Sequence, residues 1–146
     1  MLRENQLYEK LSKYFFYQSQ IQYLRHIISY EGISVDPSKI DAIKEWPTPK
    51  NVIEVRSFMG LVGFYRRFIE GFSRIAHPIT SLQRKGVKFK WTPRCGESFQ
   101  KLKELLMRAP ILKIADPNKD YVVWTDTCKE GIGGILTQGY VICYES

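Results

Sequence analysis

The sequence predicts an α+β fold: a β-hairpin near the start, a small helical unit in the middle, and an incomplete sheet of about three antiparallel strands at the end. Three observations carry this reading. Residues 21–35 alternate with a period of two around a glycine; residues 36–110 hold repeated cap and proline signals, each opening an apolar stripe of helical spacing; residues 121–144 hold three β-rich segments in succession. The chain has 146 residues, room for one ordinary domain or two small ones. With 44% hydrophobic, 25% charged and 14% aromatic residues it has enough apolar material for a packed core, which excludes disorder as its main state.

Leu7, Leu11 and Phe15 suit a helix, whereas Ile21 to Ser29 alternate as a half-buried strand. Glu31-Gly32 supplies a turn in which glycine takes positive φ, and Ile33-Ser34-Val35 pairs back as a hairpin arm. Asp36-Pro37 reads as an N-cap followed by proline at the first helical position, with Ile40, Ile43 and Trp46 on one face. Trp46-Pro47-Thr48-Pro49 is a stiff extended connector. Asn51 and Glu54 have capping-box spacing and open a helix bearing Val52, Val55, Met59 and Val62, with Phe58, Leu61, Tyr65 and Phe68 beside them. Gly60 and Gly63 let a neighbouring backbone come close, and Gly71 is a natural stop. A shorter helix runs from about Ile75 to Leu82, with His77-Pro78 at its start. Residues 87–91 read as a short strand or extended arm, and Thr92-Pro93 caps a helix along Cys95, Phe99, Leu102 and Leu106. Ile111 to Ile114 is a short apolar run and residues 116–120 a turn cluster. Tyr121–Thr125, Gly133–Gln138 and Tyr140–Tyr144 then form a meander whose open edge or face needs a partner.

No apolar run approaches the ~20 residues needed to cross a bilayer, and the charged N-terminus lacks a signal-peptide core, so an intracellular protein is expected. Three cysteines, Cys95, Cys128 and Cys143, fit neither a disulfide framework nor zinc-ligand spacing and read as reduced thiols. The net charge of +7 is uneven: +1 over 1–33, +4 over 34–86, +5 over 87–113 and −3 over 114–146. A basic middle attracts polyanions, of which nucleic acid is the commonest in a cell.

Two features bear on chemistry. Asp126 closes the strand Tyr121–Thr125, where strand packing could hold a carboxylate for a divalent metal; an aspartate there also caps turns, and one carboxylate does not bind a Mg²⁺ pair. Arg66 and Arg67 lie side by side on a helix that also presents aromatics, so their guanidinium groups splay towards phosphates or snorkel over apolar surface. His26 reads as a core or hairpin residue.

Taken in order, Tyr23-Leu24-Arg25-His26-Ile27-Ile28-Ser29, Glu31-Gly32-Ile33, Val35-Asp36-Pro37-Ser38-Lys39-Ile40, Trp46-Pro47-Thr48-Pro49, Ser57-Phe58-Met59-Gly60-Leu61, Phe64-Tyr65-Arg66-Arg67-Phe68-Ile69, Ala76-His77-Pro78, Phe89-Lys90-Trp91-Thr92, Pro110-Ile111-Leu112 and Thr125-Asp126 resemble the Pol polyprotein of gypsy-class long-terminal-repeat retrotransposons. The resemblance covers nearly the whole chain. It implies the C-terminal end of a reverse-transcriptase palm over 1–35, a helical thumb over 36–86 and the opening part of a ribonuclease H domain over 87–146. It further implies that the hairpin around Leu24 to Ile33 grips a primer strand, with Leu24, Arg25 and His26 among its nucleic-acid-binding residues. Lys50, Arg56, Arg66, Arg67 and Arg74 would contact an RNA–DNA hybrid or duplex, and Asp126 would be the first catalytic, metal-binding carboxylate of ribonuclease H, with Mg²⁺ as the intact parent's cofactor. The family pattern has Gly where this chain has Arg25, a bulky cation expected to distort the hairpin where close backbone approach is implied; Cys where it has Tyr14; Tyr where it has Phe64; and Ala where it has Thr127.

The polymerase aspartates would lie upstream of Met1 and the other ribonuclease H carboxylates downstream of Ser146, in the missing remainder of Pol. The chain alone is therefore expected to be inactive and to hold no Mg²⁺ tightly. Two rival readings are a free-standing nucleic-acid-binding module, and an inactive retroelement remnant that self-associates through its open sheet edge.

Overall fold

A computed structural model of the chain describes residues 16–128 and 131–146. The helical stripe of Leu7, Leu11 and Phe15, and position 14, lie outside the described residues. Among these the order is β1 (Gln20–Tyr23), β2 (His26–Ser29), β3 (Gly32–Val35), α1 (Pro37–Lys44), α2 (Val52–Phe64), α3 (Phe72–Thr80), α4 (Pro93–Met107), β4 (Val122–Cys128), β5 (Gly131–Thr137) and β6 (Val141–Glu145). Single 3-10 turns sit at Arg66–Phe68 and Ser81–Gln83.

The expected strand over 21–29 is two strands. Tyr23 pairs with His26, leaving Leu24 and Arg25 as a two-residue loop, and β2 pairs in turn with β3 in an antiparallel sheet of order β1-β2-β3. Alternation of apolar residues continued through the loop and hid it. Gly32 is needed for more than its φ of +140°: a Cβ there would lie 2.2 Å from the Leu112 carbonyl oxygen. That close approach lets the 111–114 run bridge the edge of β3, with Ile33 N–H donating to Leu112 O at 2.7 Å and Leu112 N–H to Ile33 O at 2.9 Å.

The caps form as the sequence indicates. Asp36 accepts from Ser38 N–H at 2.9 Å, Asn51 from Glu54 N–H at 2.9 Å, and Thr92 from Cys95 N–H at 3.4 Å. Glu54 reaches back with both oxygens, to the Asn51 amide at 2.6 Å and to Lys50 N–H at 2.7 Å. Helix α2 ends at Phe64, short of Gly71, because Tyr65 N–H tightens onto Val62 O at 3.0 Å and the chain enters a 3-10 turn. Gly71, at φ +61°, is instead the cap from which α3 departs, so His77 and Pro78 lie inside that helix rather than at its start. A Cβ at Gly60 or Gly63 would meet nothing within 4 Å, so neither glycine admits a close backbone. Residues 87–91 form no strand among the described residues.

The core lies among the helices. Val55, Phe58 and Val62 of α2, Ile43 of α1, Ala76 and Ile79 of α3, and Phe99, Leu102 and Leu106 of α4 are all almost completely buried. The Phe58 and Phe99 rings meet at 4.6 Å, and each buried aromatic of this kind stabilises the fold by ~2–3 kcal/mol. Buried Lys103 donates to Trp46 O at 3.0 Å with its ammonium 5.0 Å from the Phe99 ring centre, which pins the proline connector to α4. Cys95 and Cys143 are free thiols.

The last three strands form the expected antiparallel sheet, order β4-β5-β6, with a bulge between Leu136 and Thr137 and Gly139 at φ +78° in the final turn. Asp126 is not at a strand end: β4 runs on to Cys128, with Asp126 opposite Gly133. The threonines flanking Asp126 suit extended backbone and continue the strand. Among the described residues β4 has no partner on its outer edge, and Val123 and Trp124 are 62% and 63% exposed on opposite faces.

Candidate nucleic-acid interface

The Leu24-Arg25 loop is the most constrained feature of the surface. Both residues have positive φ, +45° and +64°, the signature of a type I′ hairpin turn, and a left-handed conformation costs a residue with a Cβ ~1–2 kcal/mol. Arg25 stands where glycine is the unstrained choice, yet the hairpin is intact. Three contacts offset the strain. Tyr65, fully buried, donates its hydroxyl to Arg25 O at 2.8 Å; the Arg25 guanidinium lies 5.5 Å from the Phe64 ring centre; and the His26 ring packs among Phe64, Tyr65 and Phe68 at 5.1, 5.5 and 5.8 Å. The turn is thereby seated on the C-terminal end of α2.

His26 holds its proton on Nδ1, which donates to Leu24 O at 2.9 Å, and its Nε2 is buried without a partner among the described residues. Burial lowers its pKa, the nearby Arg67 charge lowers it further, and the Leu24 carbonyl opposes both. The imidazole is thus a neutral packing group rather than a cationic contact. At this turn Leu24 and Arg25 point outward. Tyr65 has its pKa raised by burial, then by the Asp36 carboxylate. Asp36 is held below the usual carboxylate range, chiefly by hydrogen bonding from Ser38, and also accepts from the Gln22 amide, which ties β1 to the cap of α1.

Arg66 and Arg67 lie in the 3-10 turn after α2 rather than on the helix itself, and both are exposed. Arg66 pairs with Glu145 of β6 at 3.3 Å, with both side chains more than half exposed. Such a pair is worth ~0–1 kcal/mol and yields readily to a stronger anion. Arg56, exposed on α2, sits ~12 Å along the helix from Phe64, and exposed Lys50 precedes the helix. The fold therefore gathers Leu24, Arg25, His26, Arg66 and Arg67 around one helix end and leaves Lys50 and Arg56 at the other.

Arg74 and Asp126 face a different feature, a cleft of about 410 Å³ between α3 and the second sheet, lined also by Glu70, His77, Trp124 and Glu145. Asp126 is exposed, and its carboxylate has no hydrogen bond or ion pair among the described residues. Nor do those residues contain a group of three or more His, Cys, Asp or Glu side chains able to hold a metal ion, so the donors present do not make up a Mg²⁺ site. Tyr65 and Phe64 were read from the sequence only as helix stripe residues. The signal that could have found their role was the pair of non-glycine residues at a hairpin turn.

Residues 91–142 match the family described as the RNase H-like domain found in reverse transcriptase. The chain is 40% identical over 131 residues to an uncharacterized mitochondrial protein of Arabidopsis thaliana, AtMg00860, a match covering 86% of this chain and 82% of that protein. It is 38% identical over 140 residues to the retrovirus-related Pol polyprotein from transposon 297 of Drosophila melanogaster, covering 94% of this chain and 13% of the polyprotein. Among solved structures, the foamy viral protease–reverse transcriptase in complex with an RNA/DNA hybrid matches with a TM-score of 0.78 at 24% identity, over 92% of this chain and 19% of that one. At that identity the likeness is one of fold. Among the described residues no helix is long and apolar enough to cross a membrane.

Proposed function

Because the chain belongs to the reverse transcriptase and ribonuclease H region of retrotransposon Pol polyproteins, we propose that it binds the backbone of an RNA–DNA hybrid or duplex through the Leu24-Arg25 turn and the end of α2. The observation that carries this reading is the strained turn seated on Phe64 and Tyr65, with exposed Arg66 and Arg67 beside it. Strain held in place by several independent contacts is characteristic of functional sites. Lys50 and Arg56 extend the contact along the thumb, residues 36–86, between the palm end at 1–35 and the ribonuclease H part at 87–146, and Arg74 adds a contact from the separate cleft. These contacts are to phosphates and carry no sequence preference.

Asp126 is, in this reading, the first metal-binding carboxylate of ribonuclease H, and Mg²⁺ belongs to the intact parent, where further carboxylates complete the set. The chain alone turns over neither polymerase nor nuclease substrate. Mg²⁺-dependent cleavage of a labelled hybrid by the purified chain, abolished by Asp126→Asn, would contradict this. Its setting is intracellular, where retroelement hybrids are made.

Binding is tested by fluorescence anisotropy with a labelled hybrid over a salt series. The slope of log affinity against log salt reports released counterions, ~0.9 per duplex phosphate neutralised. Arg66→Ala with Arg67→Ala should weaken binding and flatten that slope; unchanged affinity and slope would refute the assignment. A second reading, a free-standing nucleic-acid-binding module, is favoured by the Arabidopsis relative, 82% of which is matched by this stretch alone. The open edge of β4 also offers pairing to a second copy, which size-exclusion chromatography reads directly.

A further inference from the structure

We propose that residues 84–94 form a second phosphate-contacting ridge, which engages a duplex nucleic acid separately from the Leu24-Arg25 turn; this rests on the reading that the chain binds a hybrid. The segment reads Arg-Lys-Gly-Val-Lys-Phe-Lys-Trp-Thr-Pro-Arg and contains no acidic residue. Arg84, Lys85, Lys88, Lys90 and Arg94 are all exposed, and none of their side chains has a hydrogen bond or ion pair among the described residues.

The segment beneath these charges is anchored at both ends and by its two aromatic side chains. Val87 N–H donates to Arg84 O at 3.2 Å across a turn with Gly86 at φ +82°, and Thr92 caps α4 at the other end. Between them, exposure alternates from Lys88 to Trp91, the lysines outside and the aromatic rings half-buried. Phe89 and Trp91 pack on the core, the Trp91 ring 5.9 Å from that of Phe99, while Lys88 and Lys90 stand on the solvent side. A cation row on an ordered backbone loses little entropy when it binds a line of phosphates.

Stability alone argues against this arrangement. Like charges in succession repel, and Arg94 occupies the first turn of α4, which has no acidic residue and where a cation opposes the helix dipole by ~0.3–1 kcal/mol. A polyanion relieves both penalties. With Phe89 and Trp91 turned inward, the ridge offers no aromatic group to insert into a lipid interface or to stack on bases, which favours a duplex backbone over a membrane and predicts contact without sequence preference.

The test is the salt dependence of hybrid binding by the full chain carrying Lys88→Gln and Lys90→Gln, against a control of equal charge, Lys44→Gln with Lys101→Gln, two exposed helical lysines outside the ridge. The ridge variant should lower the log–log slope by ~1.8, two phosphates' worth, with unchanged circular dichroism, and the control by much less. Salt-dependent binding that the ridge variant leaves at the control's slope overturns this inference alone. Wild-type chain with no salt-dependent hybrid binding overturns the proposed function and this inference with it. Tighter binding to phosphatidylserine vesicles than to the hybrid, lost in the ridge variant, overturns the choice of nucleic acid.

Discussion

Replacing the strained loop with the residues its geometry favours, Leu24→Asn with Arg25→Gly, should stabilise the fold while weakening nucleic-acid binding. Two residues with a Cβ at φ +45° and +64° together cost ~2–4 kcal/mol, which Asn-Gly largely avoids. Against this stand the Arg25–Phe64 contact, ~0.5–1 kcal/mol, and the extra unfolded-chain entropy of glycine, ~0.4–1 kcal/mol. Leu24 is 67% exposed, so trimming it loses little burial. The net gain is ~1–2 kcal/mol. In urea denaturation the midpoint should rise with m unchanged, and by calorimetry Tm should rise by ~3–7 °C. In the same variant the hybrid-binding slope should fall by ~0.9 as one cation is lost. A lowered midpoint would refute the reasoning, because it would mean that the loop is not held in the left-handed region. A changed m would assign the effect to the unfolded state instead.

Three further outcomes follow from the same geometry. Tyr65→Phe keeps the ring but leaves the Arg25 carbonyl unpaired, so it should cost ~1–2 kcal/mol and speed amide exchange at Leu24 to His26; unchanged exchange would mean that the hydroxyl does not hold the turn. Gly32→Ala places a methyl against the Leu112 carbonyl and breaks two backbone bonds, a loss of ~3 kcal/mol or more visible as a fall in urea midpoint. His26 has a depressed pKa in the fold, so its contribution to stability is fully present above ~6.5 and is lost as pH falls through the folded value. Between pH 7.5 and 5 the wild type should lose more stability than His26→Phe, and parallel curves would exclude the histidine as the cause.

Helix starts were legible because each rests on neighbours in sequence: Asp36-Pro37, Asn51 with Glu54, and Thr92-Pro93 place an acceptor within reach of the first free N–H groups. Helix ends were less so. Gly71 looked like a stop, but α2 closes earlier because Tyr65 turns inward to meet Arg25, forty residues away in sequence. Alternation through Tyr23, Arg25 and Ile27 likewise concealed a turn, since period two says which face a residue takes and not whether the strand continues.

Of the candidate site, the residue types were visible in the chain and their grouping was not. Arg66 and Arg67 were noticed as adjacent cations, while the nearness of Arg67 to His26 and the parting of Arg74 and Asp126 into a separate cleft come from packing. By itself the sequence determined the α+β succession, the caps, the uneven charge and the family pattern, all properties of short-range spacing and composition. Only the tertiary structure decided that a buried tyrosine and a helix-end phenylalanine hold a strained turn, and that Leu112 closes on Gly32. Those contacts join residues far apart along the chain, and their energies depend on exclusion of water and on fixed distance, neither of which exists until the core has closed.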